Sequence, residues 1–95
     1  ARPPRAGRPG VKFRFTPHAL EQMDSRGLNR TLVERVIENP EQVREERLGR
    51  EARQSRVHFP DGEYLLRAMV DRRTNPPDVV TVYRTRDIAK YWRQE

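Results

Sequence analysis

Residues 11–15 (VKFRF) alternate apolar and basic side chains, and order is expected to begin there. Thr16-Pro17 then reads as a helix N-cap followed by proline at the first helical position, where a missing N–H costs nothing. At about 100° per residue, Ala19, Leu20 and Met23 fall on one side of that helix, its expected buried face. His18 and Gln22 lie nearly opposite, with Arg26 at the edge. Phe15 and Leu20 have the spacing of a hydrophobic staple. The helix is expected from residue 17 to about residue 26, ending at Gly27, which enters the left-handed region cheaply. A second helix follows at once. Asn29 caps it, Leu28 and Val33 repeat the staple spacing, and Leu32, Val33, Val36 and Ile37 form its apolar stripe until Asn39-Pro40 stops it.

After Pro40 the period changes from helical to alternating. Residues 42–48 are a weak, charge-rich strand candidate, residues 53–59 a better one, and 64–70 and 79–83 are well marked. Residues 71–77 (DRRTNPP) read as a loop, and residues 86–93 as a short closing helix or tail that packs Ile88, Tyr91 and Trp92. The fold class is α+β: two N-terminal helices packed on one face of a four-stranded antiparallel sheet.

Pro60-Asp61-Gly62-Glu63 is the strongest turn signal, because Asp-Gly suits a type I′ hairpin. With Asp61-Gly62 as the loop, Phe59 faces Tyr64, Val57 faces Leu66 and Ser55 faces Ala68 on one apolar side. The other side then pairs His58 with Leu65, Arg56 with Arg67 and Gln54 with Met69. Two arginines directly opposed are destabilising unless an anion bridges them or their tips splay into water. With His58 beside them, this open face is a candidate phosphate-binding surface or an ordinary solvated one. Val80 and Val82 are expected to meet the helices, which puts Thr81 and Tyr83 on the open face with Arg56, His58 and Arg67.

Composition narrows the chemistry. The chain has 95 residues, enough for one small domain, and its mean hydropathy is −1.06. Its apolar runs are far short of the roughly 20 residues a membrane helix needs. No cysteine is present, which excludes disulfides, thiolate metal sites and cysteine nucleophiles. Two histidines far apart in sequence make no dedicated metal site, so neither metal nor cofactor is expected. The net charge is +6, and eighteen of the twenty bases are arginine, the side chain that grips phosphate bidentately and stacks on flat rings. GC-rich coding also inflates arginine, yet a basic surface of this kind implies a polyanionic partner. Residues 1–10 read as a disordered basic tail carrying Arg2, Arg5 and Arg8, and residues 11–95 as the single domain.

Phe15-Thr16-Pro17-His18-Ala19, Met23, Arg26-Gly27-Leu28, the helix ending at Asn39-Pro40, and Val80-Thr81-Val82-Tyr83 with Tyr91-Trp92 behind resemble one family. It is the domain of unknown function numbered forty-two fifty-eight, and the resemblance spans roughly residues 13–92. Gln22 stands where that family often has an arginine before the methionine. The family in turn resembles small ribonuclease toxins of the RelE and barnase-like kind, with helices on a four-stranded antiparallel sheet. The resemblance implies metal-independent RNA cleavage by the ribose 2′-hydroxyl, with His18, Arg26, Thr81 and Tyr83 as site residues. Arg67 joins them from the hairpin register, and Arg56, His58 and Arg84 are the expected RNA contacts.

The resemblance also implies an acidic antitoxin or immunity protein as partner. It implies a cytoplasmic site of action, reached by synthesis there or by delivery as the toxin tip of a secreted protein. The alternative is a non-catalytic RNA- or DNA-binding module on the same basic face, and a third reading is a protein-interaction module. Histidine serves as general acid or base near neutral pH, which pure binding does not need. The resemblance selects His18 and the register selects His58, so the residues leave the catalytic histidine open. Arg26 also has structural alternatives: pairing with Asp24 or Glu34, or capping helix carbonyls.

Overall fold

Local signals build the helical half as the sequence reads. The computed structural model describes residues 12–94, so the basic-tail assignment to residues 1–10 lies outside them. The side chain of Thr16 accepts a hydrogen bond from the Ala19 N–H at 3.1 Å and starts α1 (Pro17–Ser25). At its end Leu28 N–H donates to Met23 C=O at 2.8 Å and Gly27 N–H to Asp24 C=O at 3.2 Å. These are the two bonds of a Schellman cap, and the residues it joins, Met23 and Leu28, are both buried. Asn29 caps α2 (Arg30–Glu38) by accepting from Leu32 N–H at 3.1 Å.

Gly27 has φ +63° and nothing within 4 Å of where a Cβ would stand. Gly27→Ala is therefore expected to cost about 1 kcal/mol from backbone conformation alone. Urea unfolding checks this, with Gly27→Asn the milder change.

The sheet has five strands: β1 (Arg14–Phe15), β2 (Gln42–Glu45), β3 (Arg50–Phe59), β4 (Gly62–Asp71) and β5 (Asp78–Thr85). Their order is β1-β5-β4-β3-β2. The expected four-stranded antiparallel sheet is corrected by β1, which pairs parallel with β5 and makes the sheet mixed. Arg14 N–H reaches Pro77 C=O at 2.8 Å and Thr16 N–H reaches Val79 C=O at 3.1 Å, so two residues suffice to occupy that stretch of the β5 edge.

The hairpin closes one step earlier than Asp-Gly suggests. Phe59 pairs with Gly62, so Pro60-Asp61 is the loop. Proline's fixed φ near −65° suits the first central position of a turn and forbids its use as a paired strand residue here. The register slides by two, which keeps every side chain on its expected face. The Arg56–Arg67 opposition is lost: Arg56 faces Leu65, and Arg67 faces Gln54. A bulge between Met69 and Val70 skips Val80, so Val79 joins Val82 in the core, contrary to a plain alternation.

Both helices cover one face. Ala19, Met23, Leu28, Val33, Val36 and Ile37 pack on Leu66, Ala68, Val70, Val79 and Val82. Leu20 is not part of this core and is 40% exposed. On the opposite face, the short helix α3 (Ile88–Tyr91) and the residues after it fold back over the sheet. That face is therefore not open: Leu65 and Gln54 are fully buried and Arg67 is 3% exposed. Among the described residues no helix is long and apolar enough to cross a membrane.

Candidate active site

β1 covers only the first residues of the outer edge of β5, and further along that edge Val82 would be left without main-chain partners. α1 supplies them through side chains. Val82 N–H donates to Gln22 Oε1 at 2.9 Å, and Val82 C=O accepts from Arg26 Nη1 at 3.0 Å. An arginine in place of Gln22 has no acceptor to offer that N–H, which gives the glutamine a physical role here. His18 and Gln22 on α1 and Arg26 at its C-cap are spaced four residues apart and follow one side of the helix. That side runs beside β5, with His18 exposed at its start and Arg26 exposed at its end. Arg26 is the C-cap of α1, its backbone N–H reaching Gln22 C=O at 3.0 Å, while its guanidinium gives one donor to the strand carbonyl and pairs with neither Asp24 nor Glu34.

Thr81 and Tyr83 project from β5 to the sheet face opposite α1, opposite Met69 and Arg67. The Tyr83 hydroxyl accepts from Arg67 Nη1 at 2.6 Å. Burial pushes the Tyr83 phenol up, and the adjacent Arg67 only partly offsets it, so the hydroxyl stays protonated at neutral pH and keeps a hydrogen to donate. Arg67 itself is engaged. Its Nε donates to Gln54 Oε1 at 2.8 Å, its Nη2 to Glu46 at 3.3 Å, and its plane lies 4.3 Å from the Tyr91 ring centroid. Arg67 thus positions Tyr83 with three of its five N–H donors in use, and the Tyr91 ring covers its plane.

The expected RNA contacts do not gather in one place. Arg56 is clamped by Glu41 through two bonds of 3.2 Å and stacks 4.2 Å over the Trp92 ring. The pairing holds the Glu41 carboxyl below its usual range and raises the Arg56 guanidinium. His58 is exposed near the hairpin tip, across from Glu63. Arg84 shares the helix side with Leu66, 4.4 Å from the Phe59 ring and 4.1 Å from Tyr64. The structure thus fixes Gln22 and Arg26 on the β5 edge, with His18 about two turns away at the start of α1, and puts Arg67, Thr81 and Tyr83 on the opposite sheet face, so the two sets are not brought together. Arg56 and His58 lie on β3, with β4 between them and β5.

Sequence reasoning passed over Gln42, Arg44, Glu46 and Gln54, which surround Arg67 and the segment above it. The available signal was the pair Gln42 and Gln54, two amides at inward positions of neighbouring strands. Many arginines are also matched by acids: Arg14–Asp78, Arg30–Glu34, Arg53–Glu51, Arg72–Glu45, Arg73–Asp71 and Arg86–Asp61 are within ion-pair distance. Among the described residues no three histidine or acidic side chains form a set that could hold a metal ion.

Three carboxylates set the acid limit of the fold. Hydrogen bonds from Arg73 hold Asp71 well below the ordinary carboxylate range, Arg56 lowers Glu41, and the Tyr64 hydroxyl lowers Asp61. A folded pKa below the unfolded one stabilises the fold above the unfolded value and loses that stabilisation as pH falls through the folded value. The unfolding midpoint is expected to be level from pH 7 to about 5 and to fall below about pH 4. Thermal melts across that range check it.

No curated protein and no solved structure matches the chain. The family model described as Domain of unknown function (DUF4258) does match, over residues 15–84. That stretch runs from the last residue of β1 through the α1–β5 junction to Arg84, and by it the chain belongs to the DUF4258 family.

Proposed function

We propose that the protein is a metal-independent endoribonuclease of the RelE and barnase-like toxin kind. It cleaves RNA by attack of the ribose 2′-hydroxyl on the adjacent phosphate. The observation that carries this reading is the anchoring of Gln22 and Arg26 to Val82, which fixes the helix that bears His18 beside the strand that bears Thr81 and Tyr83. His18 is the proton carrier, an exposed imidazole on a helix fixed to the sheet. Arg26 commits one donor to Val82, and its remaining donors meet the charge that develops on phosphorus-bound oxygens. Tyr83, kept protonated and oriented by Arg67, donates to a phosphate oxygen or stacks on a base, and Thr81 adds a hydroxyl. Arg56, His58 and Arg84 contact RNA at the flanks.

The protein acts in the cytoplasm, made there or delivered there as the tip of a longer chain. An acidic antitoxin or immunity protein holds it in check, and its acidic surface meets the +6 charge of the chain.

One observation favours the alternative of a non-catalytic RNA- or DNA-binding module. Arg56, Arg67 and Arg84 are already stacked on rings and paired with acids, as a rigid binding surface would have them. The experiment that decides is incubation of labelled RNA with the purified protein in EDTA. Fragments ending in 2′,3′-cyclic phosphate support cleavage, and retention of intact RNA supports the binding module.

A further inference from the structure

Gln42 on β2, Gln54 on β3 and Arg67 on β4 stand in one row across the sheet face opposite the helices, and Arg44 lies beside them on β2. The amide and guanidinium donors of Gln42, Gln54 and Arg44 converge on main-chain carbonyls of the segment above. Tyr91 C=O accepts from Arg44 Nη1 at 2.8 Å and from Gln54 Nε2 at 3.1 Å. Arg93 C=O accepts from Gln42 Nε2 at 2.7 Å, and Gln42 Oε1 accepts in return from Arg93 N–H at 3.0 Å. A neutral carbonyl that gathers a guanidinium and an amide occupies a position where an anionic oxygen is held more strongly. Arg44 has no carboxylate within ion-pair distance among the described residues, so a cation there is matched only by a carbonyl dipole.

The covering segment is loosely built. Its backbone–backbone bonds (Ile88 to Arg86, Lys90 to Asp87, Trp92 to Ile88) are all local and none joins a strand, and α3 has no buried residue. Side chains dock it: the two glutamines, Arg44, the Arg93 guanidinium on Val43 C=O at 3.2 Å, the edge-on Tyr83–Tyr91 ring contact, and two stacked cations, Arg67 on Tyr91 and Arg56 on Trp92. Few buried apolar contacts and no shared ladder place such a segment at the low end of local opening free energies.

We propose that residues 87–94 are a displaceable strap seated on a phosphate-binding cradle formed by Arg44, Gln54 and Arg67, with the Tyr91 carbonyl standing where a phosphodiester oxygen binds. Opening frees Arg44 and Gln54 and uncovers Arg67 beside Tyr83. A phosphate that binds only the open form draws the strap off by mass action. The ligand is the phosphodiester of single-stranded RNA, a choice that rests on the ribonuclease reading, whereas the cradle itself does not.

Trp92 is the chain's single tryptophan and lies in the strap, so its accessibility to acrylamide reports opening directly. The parent is titrated with pyrophosphate and, separately, with a 2′-O-methyl oligoribonucleotide, which cannot be cleaved through its 2′ position. Both are expected to increase quenching at least twofold at saturation. Gln42→Met, which removes the amide clamp on Arg93, is expected to raise quenching without ligand and to tighten pyrophosphate binding several-fold. Arg44→Gln is expected to weaken it tenfold or more, with Arg44→Lys recovering part.

Unchanged Trp92 quenching in the parent at saturating pyrophosphate overturns the proposal. So does a folded Gln42→Met variant that exposes Trp92 without tightening binding. Opening by pyrophosphate alone overturns the assignment of RNA as the source. None of these readings uses cleavage, so failure here and failure of the ribonuclease reading are told apart.

Discussion

Arg67→Ala is expected to lower the unfolding free energy by about 3 kcal/mol, a large part of what a small domain has. The residue is 3% exposed and its side chain is bonded to Gln54, Tyr83 and Glu46. Truncation orphans the Gln54 carbonyl oxygen, whose residue is fully buried, and removes the cation stacked on Tyr91. Replacing both partners together, Arg67→Met with Gln54→Met, is expected to recover part of the loss, because no buried acceptor is then left unpaired. Urea denaturation of the two variants measures this. A loss below about 0.5 kcal/mol for Arg67→Ala, the range of ordinary surface positions, contradicts the account of Arg67 as an internal pin. A cleavage or binding defect in Arg67→Ala is therefore to be read only beside its stability.

His18→Ala is expected to reduce RNA cleavage by about 10²–10⁴-fold while leaving stability unchanged, since removal of a general acid or base costs that much. His18 is exposed and makes no hydrogen bond within the described residues, so the fold does not depend on it. RNA affinity is expected to stay within a few-fold, because arginines supply the phosphate contacts. His58→Ala is expected to affect binding more than rate. Retention of parental activity in His18→Ala with loss in His58→Ala transfers the catalytic role to His58. Full activity in both removes histidine from the mechanism and leaves Arg26 and Tyr83, oriented by Arg67, to act without it.

The helices were legible because their signals are local. Thr16-Pro17, Gly27, Asn29 and Asn39-Pro40 each act within a turn of themselves, and each does what its chemistry dictates. The hairpin was legible in its faces and not in its register. Asp61-Gly62 competed with Pro60 for the turn, and proline prevailed, but a slip of two leaves the pattern of buried side chains intact. The Val79–Val80 bulge broke an alternation that sequence reasoning assumes to be regular. β1 contributes two residues, too few for any periodicity, and is a strand only because the β5 edge is there to receive it.

The site divides the same way. The sequence places His18 and Gln22 away from the packed side of α1, and only the β5 edge, which draws Gln22 onto Val82 beside Arg26, reveals their role. Burial of Arg67 does not follow from sequence, because arginine is among the residues least often buried, and because the strap that covers it is held by distant side chains such as Gln42 and Arg44.

Cleavage through the 2′-hydroxyl is tested most directly with two RNAs of one sequence, unmodified and fully 2′-O-methylated, each incubated with the protein in EDTA. The account predicts that both bind, that only the unmodified RNA is cut, and that its new ends carry 2′,3′-cyclic phosphate. Cutting of both RNAs, or of neither while both are bound, contradicts it.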